Sequence, residues 1–439
     1  MTDYTHPSGV HETIGRYMLA DGFPFVVDMD KSHGSWLVDK RNGKEYLDLF
    51  SCFASMPIGW NHPDIVSKKD EFGRVAMNNV TNSDIYTSEM AWAVDTIARI
   101  AKPDCFNHQF FIAGGGLAVE NTLKAAFDWK VQKNWKEGNV SARVEKGQQI
   151  AHFKDAFHGR TGYTMSLTNT APVKTKWFAQ FKWPRITNPV VNFPVDERET
   201  SRVQEPEDQA TSEIHQSAEQ NPHDIAGIII EPIQGEGGDN HFRPEFFVKL
   251  RKAADEIDAM LIFDEVQAGV GITGKMYGYQ CADIKPDAIA FGKKMQVCGM
   301  FVGPKVDENE DNVFTVSSRI NSTWGGNLID MVRGAHYLEI IEKEHLVQNA
   351  ATVGDHFIKG LEELYDDDRV TNVRGRGLMC AFTLPDGATR DAFRSAAMDL
   401  GCFTLTSGSS SIRFRPMLSM TKDEADEGIR MLHETLRKI

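Results

Sequence analysis

The stretch AIAFGKKMQVCGM, Ala288–Met300, sets the first constraint on the fold. Its opening residues, Ala288-Ile289-Ala290-Phe291, are apolar without alternation, so the segment reads as a strand covered on both faces. It stops at Gly292 and then at two lysines, Lys293 and Lys294. An ammonium at the end of a buried strand must find a partner, stay hydrated or lose its proton. Side chains of neighbouring residues on an extended segment point opposite ways. The two lysines therefore face different surroundings, and a shift of one residue in register would exchange them.

Outward from this strand, short apolar runs alternate with helical patterns. Further strands are expected at Gln109–Ala113, Gln149–Phe153, Ile225–Glu231 and Ala259–Asp264, with Ala288–Gly292 as the last. Helices are expected at Ala118–Asn134 and Pro244–Ile257. The alternation predicts an α/β fold with a mostly parallel central sheet. After residue 330 the pattern changes. A helix at Leu328–Lys343 leads to strands at Leu378–Leu384 and Ser411–Arg415, then to a last helix opened by Thr421-Lys422-Asp423-Glu424, the spacing of a capping box. Short β patterns at Gly34–Val38 and Tyr46–Phe50 are expected to join this part. The reading is a large domain at 66–330 and a smaller, discontinuous α+β domain from 1–65 and 331–439. Asp196–Asn221 is acidic and weakly periodic, and reads as a solvated helix or insertion without chemistry.

The chain has 439 residues, 41% apolar and 25% charged, ordinary values for a globular protein with more than one domain. Its net charge of −14 disfavours nucleic acid and anionic membranes as partners. No apolar run is long enough to span a bilayer, and the first residues lack the basic and apolar regions of a signal peptide. Six scattered cysteines without a CxxC pair fit reduced thiols in a cytoplasmic protein. The fourteen histidines show no ligand spacing, so no metal is expected.

In open α/β sheets, ligands bind at the carboxyl ends of the strands. Here those ends carry Gly114-Gly115-Gly116 before a helix, Glu231 with Gly235-Glu236-Gly237-Gly238, Asp264-Glu265-Val266-Gln267, and Lys293-Lys294. Taken singly, the glycines are a tight turn, the aspartate a cap and the lysine a surface residue. The glycine run matches neither GxxxxGK[ST] nor GxGxxG. Taken together, they describe pyridoxal phosphate chemistry: a backbone cradle for a phosphate, an acid for a pyridinium nitrogen and an amine for a Schiff base.

In combination with Leu47-Asp48, Gly59-Trp60-Asn61-His62-Pro63, Phe157-His158-Gly159-Arg160, Val373-Arg374-Gly375-Arg376-Gly377-Leu378 and Ile412-Arg413-Phe414-Arg415-Pro416, these segments resemble the class III, ω-amino-acid aminotransferases of pyridoxal-phosphate fold type I. The resemblance covers nearly the whole chain. GKKMQVCG, NSTWGGN and IQGEGGDNHFRPEFF are most similar to the lysine ε-aminotransferase branch. The 4-aminobutyrate aminotransferases, which share a double lysine and IRFRP, come next. The chain departs from many relatives in Val297-Cys298-Gly299 and in its all-glycine loop.

The resemblance implies a role for each matching residue. The Schiff-base lysine directly follows the strand-ending glycine, which selects Lys293. Asp264 would pair with the ring nitrogen, Gly115 and Gly116 would bind the phosphate, and Phe157 would stack on the ring. Gln267 would reach the phenolic oxygen or its surroundings. Asn321 and Thr323 belong to a loop that reaches the phosphate of the partner subunit, so a homodimer with shared sites is implied. Arg160 would hold the α-carboxylate of L-lysine, and Arg413 that of 2-oxoglutarate, with Arg415 structural. Glu236 would cover Arg413 while lysine is bound and swing away for 2-oxoglutarate, the flanking glycines leaving room for movement. The implied reaction moves the ε-amino group of L-lysine to 2-oxoglutarate, giving a cyclising 6-semialdehyde and L-glutamate. Ornithine or 4-aminobutyrate as donor, a fold-type I decarboxylase or aminomutase, and a non-catalytic phosphate-ligand binding protein are the alternatives.

Overall fold

A computed structural model describes residues 4–140 and 145–439. Its centre is a seven-stranded sheet in the order His108–Ile112, Cys298–Val302, Ala288–Phe291, Met260–Asp264, Ile225–Ile230, Gln149–Phe153, Arg185–Ile186. Every pairing is parallel except the two made by Cys298–Val302. That reversed strand begins where its neighbours end, so Cys298 joins their carboxyl edge.

The unbroken apolar strands serve two different layers. Met260, Ile262, Ala288 and Ala290 face the helix Gly115–Lys136, whose Val119, Leu123 and Trp129 are fully buried. Leu261, Phe263, Ile289 and Phe291 face the opposite layer, where Phe246, Phe247 and Leu250 of the helix Pro244–Glu256 are buried. Each strand is thus covered on both faces, which is why no alternation was visible in its sequence.

The remaining strands form two small sheets. Trp36–Val38 and Glu45–Asp48 pair with Cys402–Phe403, so the start and the end of the chain share one sheet. Thr371–Arg376, Met379–Thr383, Ser411–Phe414 and Leu405–Ser407 form an antiparallel sheet. On this ground we propose 1–65 with 331–439 as one unit and 66–330 as the other. The helix Leu328–Lys343 runs over that boundary, against Ser88–Ala101 of the larger unit. The last helix, Lys422–Lys438, opens with the capping box read from the sequence.

Two expectations need correction. Strand ends shift by one or two residues: the strand expected from Gln109 starts at His108, and that expected from Gly34 starts at Trp36. Glu197–Gln220 is a helix as expected, but not merely a solvated one. Val203, Glu207, Ala210 and Ile214 form a buried stripe, and Glu207 takes both Nε and Nη2 of Arg243 at 2.8 Å. A bidentate guanidinium lets a carboxylate sit in that stripe.

Candidate active site

The carboxyl edge of the sheet opens into a cavity of about 570 Å³. Lys293 and Asp264 lie in it, and so do Gly115, Gly116, Phe157, Arg160, Glu236 and Gln267. The strand Ala288–Phe291 delivers Lys293 through Gly292 in a left-handed conformation, φ +47°. Such a conformation costs a non-glycine residue roughly 1–3 kcal/mol and persists only where the surroundings enforce it. Burial, with Arg413 and Arg415 nearby, brings the Lys293 amine down to about 8. Its Nζ lies 5.8 Å from the centre of the Phe53 ring.

Lys294 points away from the cavity. Its Nζ donates to the carbonyl of Gln267 at 2.7 Å and to that of Ala54 at 3.3 Å. Burial and the charge of Lys293 hold it well below the ordinary lysine range. The double lysine therefore splits into one amine in the cavity and one that ties Gln267 to the turn before Ser55.

Asp264 ends the strand Met260–Asp264. Its Oδ1 accepts the amide of Val266 at 3.1 Å, and its Oδ2 is 2.8 Å from Nδ1 of His158. His158 is buried and its Nε2 has no partner among the described residues. The sequence placed His158 in a family segment but gave it no role. Glu231, named from the sequence only as a strand-end residue, was likewise given no role. It accepts the amide of Phe157 at 2.9 Å through Oε1 and that of Gly235 at 3.2 Å through Oε2. Burial, helped by Asp264 and opposed by His158, raises its carboxyl to about 7.

Opposite lies the start of the helix Gly115–Lys136, whose N-cap, Gly114, makes no side-chain cap bond. Gly114 has φ +105°, which only glycine takes without strain. A Cβ on Gly115 would sit 3.0 Å from Val266 Cγ1. Uncapped amides at a helix N-terminus favour an anion.

Arg413 stands behind Glu236, its side chain 3% exposed. Its Nη2 donates to Glu236 Oε2 at 2.6 Å, while Nε and Nη1 are buried without partners among the described residues. Lys174, which the sequence gave no signal for, donates to Glu236 Oε1 at 2.5 Å. Burial pushes the Glu236 carboxyl up, but Arg413 and Lys174 outweigh it, and the net shift is downward. The flanking glycines, expected to leave room for movement, are closely packed in this conformation. A Cβ on Gly235 would lie 2.1 Å from Gln267 Oε1, and one on Gly237 would lie 2.0 Å from the carbonyl oxygen of Asp155. A side chain at either position would displace these neighbours, so the loop packs here only with glycine on both sides of Glu236.

Gln267 Oε1 accepts from Arg415 Nε at 3.0 Å, and Arg415 is fully buried against Asp239. Arg160 places its guanidinium carbon 6.0 Å from the Phe157 ring centre. Asn321 and Thr323 stand apart from this cavity: both are exposed, and the Thr323 carbonyl accepts from Ser83 Oγ at 3.3 Å. Among the described residues, His62, Asp64 and Glu344 have ligand-like spacing, but Lys343 already occupies Asp64 at 2.8 Å. No helix among the described residues is long and apolar enough to cross a membrane.

The donor set fits pyridoxal phosphate. The uncapped glycine amides suit its phosphate, the Asp264 carboxylate its ring nitrogen and the depressed Lys293 amine its aldehyde.

Comparison with known proteins agrees. A sequence model of the aminotransferase class-III family matches residues 17–436. An L-lysine-epsilon aminotransferase of Mycobacterium tuberculosis is 47% identical over 98% of this chain and 96% of its own length. One from Streptomyces clavuligerus is 44% identical over 99% and 95%. A probable mitochondrial 4-aminobutyrate aminotransferase of Caenorhabditis elegans is 31% identical over 94% and 88%. A solved lysine aminotransferase from M. tuberculosis, in its internal aldimine form, superposes with a TM-score of 0.95 at 47% identity, covering 99% of this chain and 100% of that one.

Proposed function

The chain belongs to the class-III aminotransferases, and we propose that it transfers the ε-amino group of L-lysine to 2-oxoglutarate. The cofactor is pyridoxal 5'-phosphate. The products are the 6-semialdehyde, which cyclises on its own α-amine, and L-glutamate. The observation that carries the reading is Arg413: a buried guanidinium with two free donors, closed off by Glu236 beside the Lys293 amine. A diamino acid donating from its far end needs that guanidinium covered. A 2-oxo diacid needs it open. A carboxylate on a rotatable side chain meets both demands.

Bound in this cavity, pyridoxal phosphate supplies an aldehyde that captures amines and a ring that draws electron density from the adjoining carbon. Lys293 Nζ takes the proton from Cε of lysine in the first half-reaction. In the second it delivers one to C2 of the 2-oxoglutarate skeleton. Its pKa, lowered to about 8, makes the neutral amine far more accessible than on a solvated lysine. Asp264, oriented by His158 and the Val266 amide, keeps the ring nitrogen protonated. Gly115 and Gly116 would hold the phosphate, Phe157 would cover a ring face, and Gln267, whose Oε1 accepts from Arg415, would reach the phenolic oxygen or its surroundings. Arg160 receives the α-carboxylate of lysine at the far end of the substrate. Asn321 and Thr323, exposed in one protomer, serve the site of the partner in a homodimer. The setting is cytoplasmic, which six unpaired cysteines suit.

A donor panel of lysine, ornithine and 4-aminobutyrate with 2-oxoglutarate as acceptor tests the reading. Lysine should give the highest kcat/KM and a cyclising product. A preference for either other donor would move the chain to another branch of the family. Turnover without stoichiometric glutamate would remove it from transamination.

A further inference from the structure

Glu236 is bound by two cations, and only Arg413 has a part in the scheme above. Lys174 ends a short helical turn, Pro172–Lys174. Its side chain is 14% exposed, and its ammonium lies 5.1 Å from the centre of the Phe157 ring. It donates to Thr170 Oγ1 at 3.0 Å as well as to Glu236 Oε1 at 2.5 Å. The two carboxylate oxygens of Glu236 are thus divided, Oε1 to Lys174 and Oε2 to Arg413.

We infer that Lys174 is a positioning residue of the gate: it keeps one oxygen of Glu236 paired while the other leaves Arg413. The inference rests on the proposed gating by Glu236. A carboxylate leaving its only cation inside a partly desolvated cavity loses a charge-assisted bond and must be rehydrated. With Lys174 in place, Glu236 turns about one retained contact. The glycines on either side are closely packed, which suits a turn of the side chain about a fixed point. Lys174 also competes with Arg413 for the same carboxylate and so weakens the closed state. Its effect should fall on the substrate that needs Arg413 uncovered, which is the 2-oxo diacid. It should not fall on lysine, which needs Arg413 covered.

The test measures the two half-reactions separately on holoenzyme, following the cofactor's absorbance. The variants are Lys174→Met, Lys174→Arg, Glu236→Ala and the double variant Lys174→Met/Glu236→Ala. Lys174→Met should raise the half-saturating concentration of 2-oxoglutarate relative to that of lysine by about tenfold, the effect of one charge-assisted bond. Lys174→Arg, which keeps the charge, should restore most of the ratio. In the Glu236→Ala background, loss of Lys174 should change the ratio no further, because its partner is gone. An unchanged ratio in Lys174→Met overturns the inference. So does a selective rise for lysine, which would make Lys174 a direct ligand of its carboxylate, and so does an additive double variant. The gate has its own readout. If Glu236→Ala loses lysine and glutamate as donors equally, the gate falls and this inference with it. If Glu236→Ala shifts donor preference while Lys174→Met leaves the ratio alone, only the part given to Lys174 falls.

Discussion

Adjacent lysines with opposite surroundings should fail in opposite ways. Lys294→Met removes a buried donor and keeps a side chain of similar length. The carbonyls of Gln267 and Ala54 then lose their partner inside the protein. Each unpaired buried acceptor costs about 1–3 kcal/mol. Part of this returns, because the amine itself was costly to bury and a thioether is not. The net loss should be about 1–3 kcal/mol, and in a chain of this size that is a fall of about 1–3 °C in the melting temperature. Activity should survive in large part, since Lys294 does not line the cavity. Lys293→Ala should abolish turnover, while the apoprotein should melt within about 1 °C of the wild type, since among the described residues the Lys293 side chain has no hydrogen bond to lose and its carbonyl keeps those from Gln296. The assays are thermal unfolding of the apoproteins, steady-state turnover, and borohydride trapping followed by peptide mapping. A label on residue 294, or a Lys294→Met protein that is native in stability yet inactive, would refute this division of labour.

Asp264→Asn should still bind the cofactor and still reach His158, but its half-reaction rates should fall by about a hundredfold or more, the scale of losing a preorganised charge at the reacting group; near-normal kcat would remove Asp264 from that role. Glu236→Ala should lose kcat/KM with lysine and gain relative activity with glutamate, shifting donor preference by about tenfold to a hundredfold, as read from half-reaction rates. Thr323→Ala protomers mixed with Lys293→Ala protomers should recover part of the activity, because one site of each heterodimer would carry neither defect; no recovery after verified subunit exchange would assign Thr323 to its own site. Burial, Arg413 and Arg415 lower the Lys293 pKa, so its neutral amine should predominate above about pH 8. Covalent capture of pyridoxal phosphate by the apoprotein should therefore rise between about pH 7 and 9 and then level, and a rise centred near the ordinary lysine value, about 10.4, would mean that Lys293 is solvated.

The central sheet was legible because burial on both faces writes itself as unbroken apolar runs, and Ile225–Ile230 and Ala288–Phe291 could hardly be anything else. The strand Arg185–Ile186 was not legible, since two residues at a sheet edge carry no pattern. The helix Glu197–Gln220 misled because one of its four buried positions is an acid, Glu207. Its true signal was the spacing Val203, Glu207, Ala210, Ile214, which becomes a stripe only once Arg243, 36 residues further along the chain, is known to meet Glu207.

The cavity divides along the same line. Lys293, Asp264 and the glycine run sit at strand ends, and strand ends can be found from the apolar runs that precede them. Lys174 ends a three-residue helical turn, too short to show periodicity, and its partner Glu236 is distant in sequence. Only the fold sets that pair together, so no reading of local pattern could have found it. His158 stood in a quoted segment but needed Asp264 beside it before its buried, unpartnered Nε2 meant anything. The glycines around Glu236 show the opposite error. Read as freedom, they turn out to be the residues that let Gln267 and the Asp155 carbonyl press against the loop. A glycine in a sequence states that a Cβ is absent. Whether the space is left for motion or filled by a neighbour is decided elsewhere in the chain. At Glu236 it is filled, and the packed loop carries a side chain with two cations to choose between.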